Sequence, residues 1–171
     1  IKTIGYNGKV PGPLLRAREG RRTTVEVHND TDKPELVHWH GQFVASDVDG
    51  SEEEGTPLVA AHGSRKFTIV PAPSGTRYYH THMPSMGDLE RGTFNGQYGF
   101  FYVEPKSEPG NYDQEFFLAA HQWGPSLAHM GPKNNGWEIA YEHASINDKA
   151  LGHGEPVRVK KGQRVMFRLL N

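Results

Sequence analysis

A chain of 171 residues has room for one ordinary domain, or for one domain and part of another. Its 19 Lys and Arg balance 20 Asp and Glu, so charge gives no reason for a nucleic acid or an anionic membrane as partner, and no apolar run approaches the length of a membrane span. Cysteine is absent, which removes disulfides, thiolate zinc sites, thiol catalysis and iron–sulfur clusters together and leaves carboxylates, methionine and ten histidines as metal ligands.

From the start, "IKTIGYNGKVPGP" carries no basic and apolar leader, so the expectation is a chain whose signal peptide has been removed or never existed. "RRTTVEVHN" alternates with period two, Val25 and Val27 on one face and Thr24, Glu26 and His28 on the other. "SRKFTIVP" puts Phe67 and Ile69 on one face and is ended by Pro71. "YGFFYVEP" and "QEFFLAAHQW" are denser apolar runs, of the kind buried on both faces. "EPVRVKKGQRVMFRLLN" reads as two strands about a turn at residues 160–163. No stretch has a helical period with caps. With 20 glycines and 12 prolines punctuating short apolar stretches, the fold class is all-β, a sandwich or barrel with long loops at about 41–63, 83–97 and 122–136.

Pro, Gly and charge cluster in "EPKSEPGNY", residues 104–112, which predicts a boundary there. Residues 1–108 make one complete sandwich of roughly the usual hundred residues. Residues 109–171 are too few for another and read as the opening strands of a second domain, truncated at Asn171.

Two segments write His-x-His: "ELVHWHGQF" and "TRYYHTHMP". In a strand, residues i and i+2 point to the same face. His38 and His40 therefore project together with Trp39 opposite, and His80 and His82 project together with Thr81 opposite. If the two strands pair or face one another, four imidazoles converge. One such pair is commonplace among exposed or hydrogen-bonded histidines; two, each on a strand beside an aromatic residue, point to a metal. Imidazole ligation suits copper, zinc, iron or nickel and does not choose among them. A zinc hydrolase takes three protein ligands and leaves a position for water, so four histidines in two pairs better suit a cluster in which ligands are distributed among several ions.

"VHWHG", then Asp49-Gly50, then "SGTRYYHTH", then "NGQYGFFYVEP" resembles the first domain of the laccase-like multicopper oxidases. The opening "YNGKVPGPLLRAREGRRTTVEVHNDT" fits as well, and "NYDQEFFLAAHQW" with "SINDKALGHGEPVRVKKGQRVMFRLLN" resembles the start of the second domain in three-domain members. The resemblance implies a cupredoxin-like Greek-key sandwich or barrel followed by an incomplete second cupredoxin-like domain. It implies copper: His38 as ligand of a type 2 ion, His40 and His80 as ligands of one type 3 ion, His82 of the other. It implies dioxygen and a small reducing substrate (a phenol, an aromatic amine or a metal ion) as reactants, with further ligands supplied by remaining domains of the protein or a complementary chain. A periplasmic or secreted location is implied too. Asp49 resembles an acid that assists proton delivery; on its own, Asp-Gly is equally a plain turn pair. The sequence departs from the family in having no cysteine and no His-Cys-His run, so a type 1 copper is expected outside it. Two further readings stay open: a non-catalytic copper-binding module, and a zinc-dependent hydrolase with a three-histidine site and a general base.

Other residues read more plainly. Met83 and Met86 offer soft ligands for cuprous ion, but two loop methionines are commonly packing. His121 reads as a satisfied buried histidine, and His62, His129, His143 and His153 as solvated. "SEEEG", residues 51–55, reads as a solvated acidic tip. Trp39, Phe43 and Tyr78 are expected to wall the metal site.

Overall fold

The computed structural model describes residues 3–84, 92–124, 127–129, 137–139, 142–150 and 152–171. Its elements are β1 (Gly12–Arg18), β2 (Thr23–His28), β3 (Val37–His40), α1 (Ser46–Asp49), β4 (Ser64–Ile69), β5 (Gly75–Thr81), β6 (Tyr98–Glu104), β7 (Gln114–Trp123), β8 (Leu127–His129), β9 (Trp137–Ile139), β10 (His143–Ile146), β11 (Lys149–Ala150) and β12 (Val165–Leu170). A 3-10 turn occupies Thr93–Asn95. No helix among the described residues is long and apolar enough to cross a membrane. The chain divides into two compact units, one comprising Pro13–Met83 and Tyr98–Asn111, the other Ile1–Gly12, Pro84–Gln97 and Tyr112–Asn171.

In the first of these, β1, β6, β5 and β3 form one sheet in that order, and β2 pairs with β4. The expected alternation holds: Val25 and Val27 turn inward from β2, Phe67 and Ile69 are buried from β4, and β6 is buried from Tyr98 to Val103. Trp39 ties the layers together. Its indole, 1% exposed, meets Phe67 of β4 and Phe101 of β6 edge-on, each at a centroid distance of 5.9 Å. Tyr79 stands opposite Gly99 in the β5–β6 register and sends its hydroxyl to the Pro13 carbonyl, 2.8 Å away. A Cβ on Gly99 would fall 2.3 Å from that hydroxyl oxygen, so the glycine is what lets the phenol cross β6. Burial pushes the Tyr79 phenol well above its usual range.

The loop at 41–63 is more ordered than expected. It holds the short helix α1 and a β-bridge between Glu35 and Val59. Four residues are too few for a helical period to register in a sequence.

In the second unit, β11, β10, β7 and β12 form a sheet in that order, with β12 parallel to β7 at its edge, and β8 pairs with β9. Asn147 and Asp148, both with positive φ, make the tight turn from β10 to β11. The Asn147 side chain accepts from the Ala119 amide at 2.8 Å and donates to the Phe117 carbonyl at 2.9 Å, stitching the turn to β7. Arg168 and Glu115 form a 2.6 Å ion pair with side chains 10% and 11% exposed, and Tyr112 donates to the same carboxylate oxygen at 3.0 Å.

Two expectations fail here. β7 is not buried on both faces: of its ten residues only Ala119 and Trp123 are buried. Of the two strands read in residues 155–170, only β12 forms; residues 154–161 are exposed and carry no ladder. Alternation supplied the propensity, but a strand needs a partner for its backbone groups. Phe167 and Leu169 of β12, 48% and 70% exposed, leave an apolar face toward solvent.

Candidate metal centre

β3 and β5 run antiparallel in a register that sets His38 directly opposite His80 and His40 opposite Tyr78. Alternation within each strand then does the rest. Trp39 and Tyr79 go to the core, while His38, His40, Tyr78 and His80 share the other face. β5 ends at Thr81, and His82 lies one residue beyond it, its amide donating to the Leu36 carbonyl at 2.8 Å, so it continues the same spacing without belonging to the strand.

The four rings gather closely. Centroids of His40, His80 and His82 lie 5.3, 5.3 and 5.0 Å from that of His38. One ligand nitrogen from each of His38, His40 and His80 lies within 4.8 Å of the others. His82 is outside that trio, although its ring stacks on His38.

Hydrogen bonds choose which nitrogens are available. His38 Nδ1 lies 2.7 Å from the Asp49 carbonyl oxygen, and His80 Nδ1 lies 2.8 Å from that of Thr81. A carbonyl can only accept, so both rings carry hydrogen on Nδ1 and present a lone pair at Nε2. His80 Nε2 in turn meets His40 Nδ1 at 3.3 Å. Two imidazole nitrogens at that spacing are near enough for both to reach one ion through bonds that would be about 2.0–2.1 Å long. The residues fit a metal with imidazole preference.

The electrostatics agree. Burial lowers the His80 pKa to about 4, assisted by the neighbouring His38, His40 and His82 and opposed by the hydrogen bond to Thr81. Burial also lowers that of His40, with His38 and His82 acting the same way and Asp49 against them. Metal ligands must be deprotonated, and His80 stays neutral to well below pH 6. Since its pKa lies lower folded than unfolded (about 6.5), the unfolded chain takes up the proton first. Stability from this group is complete above about pH 6.5 and is lost progressively as pH falls toward 4. Denaturation of the metal-stripped protein across that window is expected to show the decline, and His80→Gln to show less of it. An identical slope in the variant would rule His80 out as its source.

Asp49 is close, its carboxylate oxygen Oδ2 3.5 Å from His38 Nδ1 and its side chain 23% exposed. Tyr78 does wall the site, stacked on His40 at 4.4 Å and on His80 at 5.2 Å. The other two expected wall residues do not. Trp39 belongs to the core by strand alternation, and Phe43, 81% exposed, lies beyond the turn after β3.

Among the remaining histidines, His121 is half-buried with Nε2 bonded to the Phe94 carbonyl at 2.8 Å, and burial lowers its pKa. His62, His143 and His153 are exposed, His62 beside Asp32 at 2.8 Å. Glu52, Glu53 and Glu54 are exposed, as a solvated tip should be. Met83 is half-buried; Met86 and the His129 side chain lie outside the described residues. Sequence reasoning missed Thr56, a buried threonine in an irregular loop, whose hydroxyl bonds the backbone of Gly50 and Ser51. No spacing or composition signal marks it.

A family model described as multicopper oxidase matches residues 1–108. The chain belongs to the multicopper oxidase family. Members use dioxygen and a reducing substrate, and membership implies copper. This multicopper oxidase chain is 27% identical over 202 residues to "Multicopper oxidase MmcO" of Mycobacterium tuberculosis, covering 100% of the chain and 39% of that protein. It is 30% identical over 177 residues to "Multicopper oxidase mco" of Staphylococcus haemolyticus, covering 99% of the chain and 37% of that protein. Among solved structures, the blue copper oxidase from Nitrosomonas europaea superposes with a TM-score of 0.82 at 28% identity, covering 98% of this chain and 53% of that one. "Multicopper Oxidase mgLAC" gives 0.82 at 26% identity, covering 99% and 54%. The fold is therefore all-β and cupredoxin-like, as its strand pattern and resemblance predicted. The chain spans about two fifths of the length of these two curated relatives.

Proposed function

We propose that this chain is the N-terminal part of a laccase-like oxidase, with residues 1–108 as a complete cupredoxin-like domain and residues 109–171 as the start of a second. His38, His40, His80 and His82 supply half the ligands of a trinuclear copper centre. His38 serves the type 2 ion, His40 and His80 share one type 3 ion, and His82 serves the other. The carrying observation is the 3.3 Å approach of His40 Nδ1 to His80 Nε2 within a group of four converged imidazoles. His82, lying outside the close trio of ligand atoms, suits a role at a different ion.

When bound, copper supplies the redox chemistry that joins one-electron oxidation of a phenol, an aromatic amine or a metal ion to reduction of dioxygen to water. The chain's own contribution is placement. The Asp49 and Thr81 carbonyls hold the hydrogens of two imidazoles on Nδ1, so that Nε2 is the atom each ring would offer a metal. Tyr78 fixes ring planes by stacking. The Asp49 carboxylate, partly exposed beside His38, can take protons from water and pass them inward.

A blue type 1 site needs a copper–thiolate bond, and the sequence holds no cysteine. Type 1 copper and the pocket for the reducing substrate therefore belong to further domains of the same protein or to a complementary chain, as does whatever covers Phe167 and Leu169. A periplasmic or secreted protein is the matching location, where copper and oxidisable substrates meet the enzyme.

The test compares the 171-residue chain with the complete protein, both loaded with copper. The chain alone is expected to bind copper without an intense blue band and without turning over a phenolic substrate. The complete protein is expected to show the blue band and to turn the substrate over, with slowed amide exchange in residues 165–170. Turnover by the isolated chain would overturn the division of labour. Metal analysis finding zinc in the complete protein would replace the oxidase with a hydrolase, and copper without turnover in the complete protein would leave a binding module.

A further inference from the structure

The loop after β3 folds back on the strand that carries His38. Gly50, with φ +97°, lies so near β3 that a Cβ there would fall 2.3 Å from the Val37 carbonyl oxygen and 2.5 Å from His38 Cα. Both obstacles are strand backbone and cannot swing away. With no side chain between them, the Asp49 carbonyl comes within 2.7 Å of His38 Nδ1. The last carbonyls of a helix have no intrahelical partner; the imidazole takes that place at the end of α1.

Thr56 closes the loop from the other side. Its hydroxyl, in a residue 1% exposed, accepts from the Gly50 amide at 3.0 Å and the Ser51 amide at 3.2 Å, and donates to the Ser46 carbonyl. One hydroxyl thus ties the start of α1 to the residues just after it. The Thr56 amide, bonded to the Ser51 carbonyl at 2.9 Å, holds Thr56 itself in place.

We propose that Gly50 and Thr56 are positioning residues of the metal centre: together they press the Asp49 main-chain carbonyl onto His38 and so keep the hydrogen on Nδ1 and the lone pair on Nε2. This rests on the reading of His38 as a copper ligand. A neutral imidazole free of such a partner exchanges between two tautomers, one of which has no lone pair at Nε2. The Asp49 carboxylate lies at 3.5 Å from the same nitrogen, a longer contact than the carbonyl makes. Orientation therefore falls to the backbone of residue 49, and its side chain is left for proton exchange.

The experiment reads the His38 ring nitrogens by long-range proton–nitrogen NMR in metal-stripped, 15N-histidine-labelled protein, and cuprous affinity by competition with a chromogenic chelator. Thr56→Val keeps the shape and removes the hydroxyl; Thr56→Ser restores it. Gly50→Ala adds the clashing methyl. Gly55→Ala is its control, since Gly55 has φ +98° with nothing within 4 Å of its Cβ position, so both carry the same backbone cost. Thr56→Val and Gly50→Ala are expected to move His38 toward a tautomer mixture and to weaken copper binding by about 10–100-fold. Thr56→Ser and Gly55→Ala are expected to match the parent, and Asp49→Ala to keep the Nδ1–H tautomer. Thr56→Val with the parent tautomer, or Asp49→Ala with a reversed one, overturns the proposal. Should Gly50→Ala fail to fold, the two Thr56 variants decide. Because the tautomer is read without metal, a parent protein that binds no copper would refute the proposed function while the latch is still tested.

Discussion

Replacing His80 with alanine is expected to reduce copper affinity by more than a hundredfold and to lower the bound copper per chain. Loss of a hydrogen-bonded partner behind a ligand typically costs about 10–100-fold, and His80 is itself one of the three residues whose ligand atoms cluster. Its Nε2 is the atom that His40 Nδ1 approaches at 3.3 Å, so its removal leaves His40 without the nitrogen that would share its ion. Under the proposed assignment, this chain then offers that ion one imidazole in place of two. The far-ultraviolet spectrum should barely change, because the side chain lies on the face of β5 opposite the aromatic core. His62→Ala is the matched control, an exposed histidine paired with an exposed carboxylate. Metal analysis after dialysis and chelator competition measure both variants. Parent-like stoichiometry and affinity in His80→Ala would remove His80 from the centre.

Replacing Trp39 with alanine is expected to cost about 3–5 kcal/mol, the usual range for emptying a buried aromatic site. That is a large part of a net stability of about 5–15 kcal/mol. For a chain of this length it corresponds to a fall in Tm of roughly 6–20 °C. The reason is local to the candidate metal centre. β3 has only four residues, and Trp39 is its anchor in the layer opposite, between the histidines it carries. Trp39 Nε1 has no hydrogen-bond partner among the described residues. Trp39→Phe therefore loses volume without breaking a hydrogen bond, and is expected to lie between the parent and Trp39→Ala. The proposed copper site exists only in the folded chain, so loading should raise the melting temperature of the alanine variant. Scanning calorimetry with and without copper checks each point. A Trp39→Ala protein that melts with the parent would show that the strand is held by something other than its indole.

Alternation is a local property, and what it dictates could be read before any coordinates. Two histidines spaced i and i+2 in a strand share a face whatever surrounds them, so each His-x-His pair was certain to project together once its segment was extended. The same rule sent Val25, Val27, Phe67 and Ile69 inward. Composition excluded thiolate chemistry outright. Only the tertiary structure decided how the pairs meet, because the β3–β5 register that sets His38 opposite His80 depends on long-range closure rather than on spacing. It likewise assigned Trp39 to the core and left Phe43 in solvent, where the sequence reading had grouped both with the metal. Residues 155–159 alternate well and still form no strand, since propensity cannot supply a partner for the backbone. Most hidden of all was the approach of Gly50 to His38. An Asp-Gly pair announces a turn, but which strand the turn presses against, and which carbonyl it delivers to an imidazole, exists only when the chain has closed.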